Sequence, residues 1–269
     1  VAFETILYEK RDGVATITLN RPERHNAFNV AMARELRRAW ADVKASPDVV
    51  CALLTAAGTH AFCTGMDVAE VASGSAGEES RRMEREEGKP FYRFLTAIQN
   101  RCWKPVVTAV NGMVVGGGFH FVADSDLVVC SDSATFFDTH VRVGLVAGLE
   151  PVGLARRIPL EAVMRLALLG GSERMDARTA LAVGLVGEVL PPERLLPRAR
   201  ELAAMISRHS PTALARTKRA IWESLDVGLE AALERTWRII QEHTGHPDLA
   251  EGTQAFVEKR PPRWAPYTE

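Results

Sequence analysis

Cysteine is sparse in this sequence. Its 269 residues hold four, Cys51, Cys63, Cys102 and Cys130, and no two of them stand in CxxC spacing. Isolated thiols in apolar surroundings behave as small hydrophobes of a reducing compartment. No apolar run approaches the roughly 20 residues of a membrane span, and no secretory signal pattern opens the chain. No membrane partner is expected, and the expected location is cytoplasmic. Charge of one sign is missing too: 33 Lys and Arg balance 34 Asp and Glu, for a formal net charge of −1, so nothing points to nucleic acid. The phosphate-binding GxxxxGK[ST], the dinucleotide fingerprint GxGxxG, the GxSxG elbow and HExxH are all absent. His120, His140 and Asp138 lack metal-ligand spacing, so no metal is expected.

What is present is an ordinary soluble composition, 46% hydrophobic and 25% charged, long enough for one large domain or a domain with an appendage. GVATITLN alternates, placing Ala15, Ile17 and Leu19 on one face of a half-buried strand. NRPERHNAFN follows as a polar loop. Asn29 then caps a helix that carries Met32, Leu36, Ala39, Trp40 and Val43 at helical spacing. VVCALLT, PVVTAV and DLVVCS read as buried strands. Between the first two, SGSAGEESRRMEREEGKP is either a mobile, solvated segment or a surface helix flanked by linker. Phe91, Phe94, Leu95 and Ile98 mark a further helix. Strand and helix thus alternate over the first ~130 residues, which argues for an α/β class. Past about residue 190, three amphipathic helical patterns follow one another without a strand. The expected division is a core over 1–190 and a helical region over 191–269.

The stretch MVVGGGFHF (113–121) is costly as regular structure, because three consecutive glycines make a poor helix or strand interior. It makes sense where backbone must approach something closely with its N–H groups bare. HAFCTGMD after VVCALLT and NGMVVGGGFH after PVVTAV are alike: each runs from a buried strand into a glycine-containing turn that opens a helix. Side by side, two such turns could aim two backbone N–H groups at one oxygen, an oxyanion hole made of main chain.

AFCTGMD, NGMVVGGG and AFVEKR in that order, with LNRPERHNAFN ahead of them, resemble the crotonase superfamily, the enoyl-CoA hydratase/isomerase relatives, over about residues 5–260. The resemblance implies an α/β fold: a spiral of ββα units with a C-terminal helical region that trimerises, often into hexamers. It implies an acyl-CoA substrate, with coenzyme A as part of the substrate and no separate cofactor. By position, the N–H groups of Met66 and Gly117 would polarise the thioester carbonyl and stabilise its enolate. Arg24 and Ala27 of the RPERHNAF loop would contact the CoA adenine and phosphates. Ala61, Asp67 and Val68 join them as substrate contacts, and Phe256 and Lys259 would reach the CoA from the C-terminal region. Residues 72–100 would shape the acyl pocket, with Phe91, Phe94 and Leu95 as candidates that could equally be core.

The sequence departs from the family at its two glutamates. Three residues after the middle glycine stands His120, and four before Gly144 stands His140. Imidazole titrates near ~6.5 against ~4.3 for glutamate, so two histidines can divide acid and base roles only if their surroundings push them apart. The helix start behind His120 favours its neutral form. Asp138 or Glu150 would orient His140. A branch of the superfamily that cleaves β-diketones by a retro-Claisen route carries a histidine at the position of His140, with an acid one residue before Glu150. The expected function is enoyl-CoA hydratase/isomerase-like chemistry with histidines in place of both glutamates. The alternatives are a β-dicarbonyl or acyl-CoA hydrolase and a non-catalytic acyl-CoA-binding protein.

Overall fold

The computed structural model describes residues 3–267. Strands β1 (Ile6–Arg11) and β2 (Val14–Leu19) form an antiparallel hairpin, followed by α1 (Val30–Ala45). In β2 the alternation is borne out, with Ala15, Ile17 and Leu19 fully buried. The Asn29 side chain caps α1 by accepting from Met32 N–H at 2.9 Å. All five apolar residues expected on the inner face of α1 are buried.

Three similar units follow. The first is β3 (Cys51–Ala56), β4 (Ala61–Cys63), α2 (Val68–Ala72) and α3 (Ser75–Glu87). The second is β5 (Val106–Val110), β6 (Met113–Val115) and α4 (Phe119–Ala123). The third is β7 (Leu127–Ser131), β8 (Thr135–Phe137), α5 (Leu149–Leu154) and α6 (Leu160–Leu168). In each unit the first strand joins a six-stranded sheet, ordered β1-β2-β3-β5-β7-β10, and the second joins a smaller sheet, ordered β4-β6-β8-β9. Pairing between successive units is parallel in both sheets. Successive units therefore stack as turns of a spiral. β9 (Met175–Asp176), α7 (Ala177–Ala182) and β10 (Glu188–Leu190) close the sheets. Four helices follow: α8 (Pro192–Ile206), α9 (Pro211–Ser224), α10 (Leu229–His243) and α11 (Pro247–Glu258). α8 lays Leu195, Ala199 and Ala203 on Cys51, Leu53, Val107, Ala109 and Val129, covering one face of the large sheet. No helix among the described residues is long and apolar enough to cross a membrane.

Of the two readings for residues 73–90, the surface helix is the one observed. α3 lies between Gly74 and Gly88, both left-handed, and buries only Ala76 and Met83. The helix expected over Phe91–Ile98 does not form. Phe91–Arg93 make one tight turn after Pro90, and the chain then proceeds in turns. Side chains there capture the backbone groups a helix would use. Gln99 Oε1 accepts from Leu95 N–H, Thr96 Oγ1 accepts from Gln99 N–H, and Asn100 Nδ2 donates to the carbonyls of Phe94 and Thr96. All four cysteines are free thiols in the interior.

The polar loop before α1 is anchored by a residue that carried no signal in the sequence. Asn26 is 1% exposed and donates to the carbonyls of Ala57 (2.8 Å) and Ala61 (2.9 Å), while its Oδ1 accepts from Arg21 N–H at 2.9 Å. It ties the loop to the end of β3 and the start of β4. Replacing it by alanine leaves buried backbone groups unpaired. Asn26→Ala should therefore lower the unfolding free energy by about 2–4 kcal/mol in chemical denaturation; an unchanged midpoint would refute this anchoring role.

Candidate active site

The two glycine turns meet. A methyl group built on Gly65 would stand 3.0 Å from the amide nitrogen of Gly117 and 3.1 Å from the carbonyl oxygen of Val115. One on Gly117 would stand 2.8 Å from the Phe28 ring. Gly65 is also left-handed, at φ +87°, so no other residue fits there without strain. Phe28 pairs in parallel with Met66: its N–H donates to Gly65 O at 2.8 Å, and Asp67 N–H donates to Phe28 O at 2.9 Å. In such a pairing the residues flanking Met66 carry the bonds, so the N–H of Met66 itself points to the opposite side. Gly117 lies in the first turn of the Gly116–Gly118 helical start, where N–H groups have no partner within the helix.

Met66 and Gly117 line a cavity of about 310 Å³ together with His120, His140 and Glu150. The structure thus brings together the five residues expected to make up the catalytic site. Phe28, Tyr92, Leu145, Val146 and Leu149 supply its apolar wall. A cavity of about 520 Å³ lies elsewhere, beneath α9, but its more buried cations are taken up internally. Lys218 pairs with Asp126 at 2.8 Å, and Arg157 donates to the carbonyls of Val122 and Ser125.

Of the two acids expected to orient His140, Asp138 does so and Glu150 pairs with His120 instead. Asp138, 2% exposed, follows β8 directly, and the chain turns at once, so it bends back onto His140 rather than pointing away along a strand. His140 Nδ1 lies 3.0 Å from both Asp138 oxygens, and the same carboxylate accepts from His140 N–H at 2.8 Å. Glu150 does not orient His140 directly; at the start of α5 its Oε1 lies 3.1 Å from His120 Nε2. On the other side of the His120 ring, Gln99 Nε2 lies 3.3 Å from Nδ1. The His140 ring stands over Gly116, 3.3 Å from where a methyl group would project.

These contacts move the titrations apart. The hydrogen bond from Asp138 raises His140 above the ordinary imidazole value; burial opposes it, and the charges of Asp138 and Glu150 reinforce it. Burial pushes Glu150 up, but the hydrogen bond from His120, reinforced by the charge of His140, outweighs it and holds Glu150 below the ordinary carboxylate value.

The remaining expected contacts are dispersed. Arg24 is exposed and Ala27 buried beside it on the polar loop. Ala61 is buried in β4. The Asp67 carboxylate is committed to Arg21 at 2.8 Å and to Ala69 N–H at 3.0 Å, where it caps α2, and Val68 is exposed next to it. Phe256 and Lys259 are exposed at the end of α11 and are not part of the cavity wall. Phe91, Phe94 and Leu95 belong to the core. Tyr92, between them in sequence, is the residue that reaches the cavity. No periodicity singles it out; only the tight turn rotates it outward.

The family model described as enoyl-CoA hydratase/isomerase matches residues 9–266. The (E)-benzylidenesuccinyl-CoA hydratase of Thauera aromatica is 34% identical, over 96% of this chain and 97% of that protein. The mevalonyl-coenzyme A hydratase of Aspergillus fumigatus is 35% identical, over 94% and 92%. The crystal structure of an enoyl-CoA hydratase/isomerase from Mycobacterium paratuberculosis superposes with a TM-score of 0.87 at 39% identity, over 98% of this chain and 99% of that one.

Because His140 keeps its proton to higher pH folded than unfolded, its contribution to stability is full below about 6.5 and is lost as pH rises through the raised value. Asp138→Asn removes the cause. An NMR titration of the His140 ring should find its midpoint lowered in that variant; an unmoved midpoint would mean Asp138 does not set it.

Proposed function

The chain belongs to the enoyl-CoA hydratase/isomerase family, and from that premise we propose that it adds water reversibly across the α,β double bond of an acyl-CoA thioester. The carbonyl oxygen sits between the N–H groups of Met66 and Gly117. These donors strengthen their hold as charge moves onto the oxygen, and removing such a donor typically costs about 3–4 kcal/mol of transition-state stabilisation. The single observation that carries this reading is the convergence of those two main-chain positions with His140 and Glu150 on one cavity.

The opposed shifts assign the proton work. Glu150, held as a carboxylate, takes a proton from water as its oxygen bonds to the β-carbon. His140, held protonated by Asp138, delivers a proton to the α-carbon of the enolate. After one hydration Glu150 carries a proton and His140 has lost one, and proton exchange with solvent restores both. The family's paired glutamates are thus answered by one carboxylate and one imidazolium, with His120 behind the carboxylate. The apolar wall of Tyr92, Leu145, Val146 and Leu149 takes the acyl group. Arg24, Ala27, Ala61, Asp67 and Val68 lie on the loops that would receive the CoA moiety, with Phe256 and Lys259 reaching it from the C-terminal region.

Self-association as a homotrimer or hexamer is part of this reading. α10 leaves Leu229, Leu233, Trp237 and Ile240 exposed at helical spacing, a face that calls for a partner. Trp237→Lys should dissociate the assembly in sedimentation analysis, and a wild-type chain that sediments as a monomer would end this part of the proposal.

The chemistry is tested by mass spectrometry on a panel of enoyl-, β-hydroxyacyl- and β-ketoacyl-CoA esters. Gain or loss of one water on an ester is expected. Release of free CoA would replace hydration by hydrolysis, and binding without any change would leave only an acyl-CoA-binding protein. On the responsive ester, His140→Ala should lower kcat by about 10²–10⁴-fold, the usual worth of a general acid; full turnover would remove His140 from the mechanism.

A further inference from the structure

The amide of Gln99 has one permitted orientation. Its Oε1 accepts from Leu95 N–H at 2.8 Å, so the oxygen is fixed on that side and the NH2 group faces the His120 ring, with Nε2 3.3 Å from Nδ1. An amide nitrogen carries only donors, and Nδ1 can meet it only as a bare acceptor. The ring proton then lies on Nε2, where Glu150 Oε1 accepts it at 3.1 Å. Protonating Nδ1 as well would set N–H against N–H in a site where His120 is 6% exposed.

We propose that Gln99 is a positioning residue for the candidate active site: through Nδ1 it fixes the Nε2–H tautomer of His120, which in turn holds Glu150 as the group that faces substrate. With both ring nitrogens occupied, His120 has no lone pair left for substrate or water, and the base must be Glu150. The segment that carries Gln99 is built to hold it there. His120 of α4 and Asp124 just past its end grip it at two points: His120 contacts Gln99, and Asp124 accepts from Thr96 Oγ1 at 2.6 Å. Thr96 Oγ1 also receives Gln99 N–H at 3.3 Å, and Lys89 Nζ donates to Gln99 O at 2.8 Å. This turn is the same one that displaces the helix expected over Phe91–Ile98. The side-chain captures that break that helix are what place an amide against the histidine.

The assignment of Glu150 as base rests on the hydratase reading, whereas the tautomer does not, so the tests are separable. Solid-state 15N spectra of the full chain labelled in histidine, without substrate at neutral pH, report which ring nitrogen carries the proton. The His120 signals are identified by their loss in His120→Gln. Wild-type protein should show His120 protonated on Nε2 alone. Gln99→Glu keeps an acceptor for Leu95 N–H but offers an acceptor to Nδ1, so Nδ1 should become protonated in that variant. On the responsive ester its kcat should fall by about tenfold or more with KM nearly unchanged. Wild-type His120 protonated on Nδ1, or a spectrum that Gln99→Glu leaves unaltered, would overturn the proposal. If the Nε2–H tautomer is found and no CoA ester is turned over, the hydratase reading falls and the role of Gln99 in setting the tautomer stands.

Discussion

Two strand-to-helix turns touch through main chain alone, Gly65 against Gly117, and the arrangement of the candidate site depends on that contact. A single Cβ at either glycine would collide, with the amide of Gly117 in one case and the Phe28 ring in the other. Because nothing intervenes, the N–H groups that follow and begin these turns lie side by side rather than a side chain's width apart. The surrounding structure serves this approach. Phe28 bridges to Met66 in parallel, Asn26 fastens the loop that carries Phe28 to the first unit of the spiral, and Arg21 with Asp67 closes the same loop onto α2. The parallel register of successive units then fixes how far apart the two turns sit.

Around that main-chain pair the structure sets two imidazole–carboxylate pairs with opposite polarity. In one, Asp138 lies behind and His140 faces the cavity; in the other, His120 is held from behind by Gln99 and presents Glu150. The chemical elements are the same, but one pair stabilises a proton on nitrogen and the other a negative charge on oxygen. A site built on two histidines therefore still offers one donor and one acceptor. The division comes from hydrogen-bond partners more than from the identities of the side chains.

Much of this was legible in the sequence where the signal is local. A strand such as GVATITLN declares its inner face by alternation, and the glycine turns declare themselves because glycine is tolerated there for a steric reason. The two histidine positions followed from counting along motifs. Partner choice was not legible: whether Glu150 meets His120 or His140 depends on the path of the loop between Gly144 and α5, which no periodicity encodes. The apolar spacing of Phe91, Phe94, Leu95 and Ile98 misled in an instructive way, because apolar residues at helical intervals also suit a chain of turns pinned by Gln99, Asn100 and Thr96. Strands of two or three residues, such as β4, β6, β8 and β9, are too short to show alternation at all.

The buried thiols have a bearing on how motion in this fold can be observed. Burial pushes Cys63 up to about 12, and it sits in β4 immediately before the Gly65 turn, with its carbonyl oxygen against Gly118. Cys130, in β7, is likewise pushed up to about 12, and Cys51, in β3, to about 11. A thiol so protonated and enclosed does not react with an alkylating reagent until the strand carrying it opens. Each of these three cysteines is thus a built-in clock for the turn of the spiral that contains it, and Cys63 times the separation of the two glycine turns.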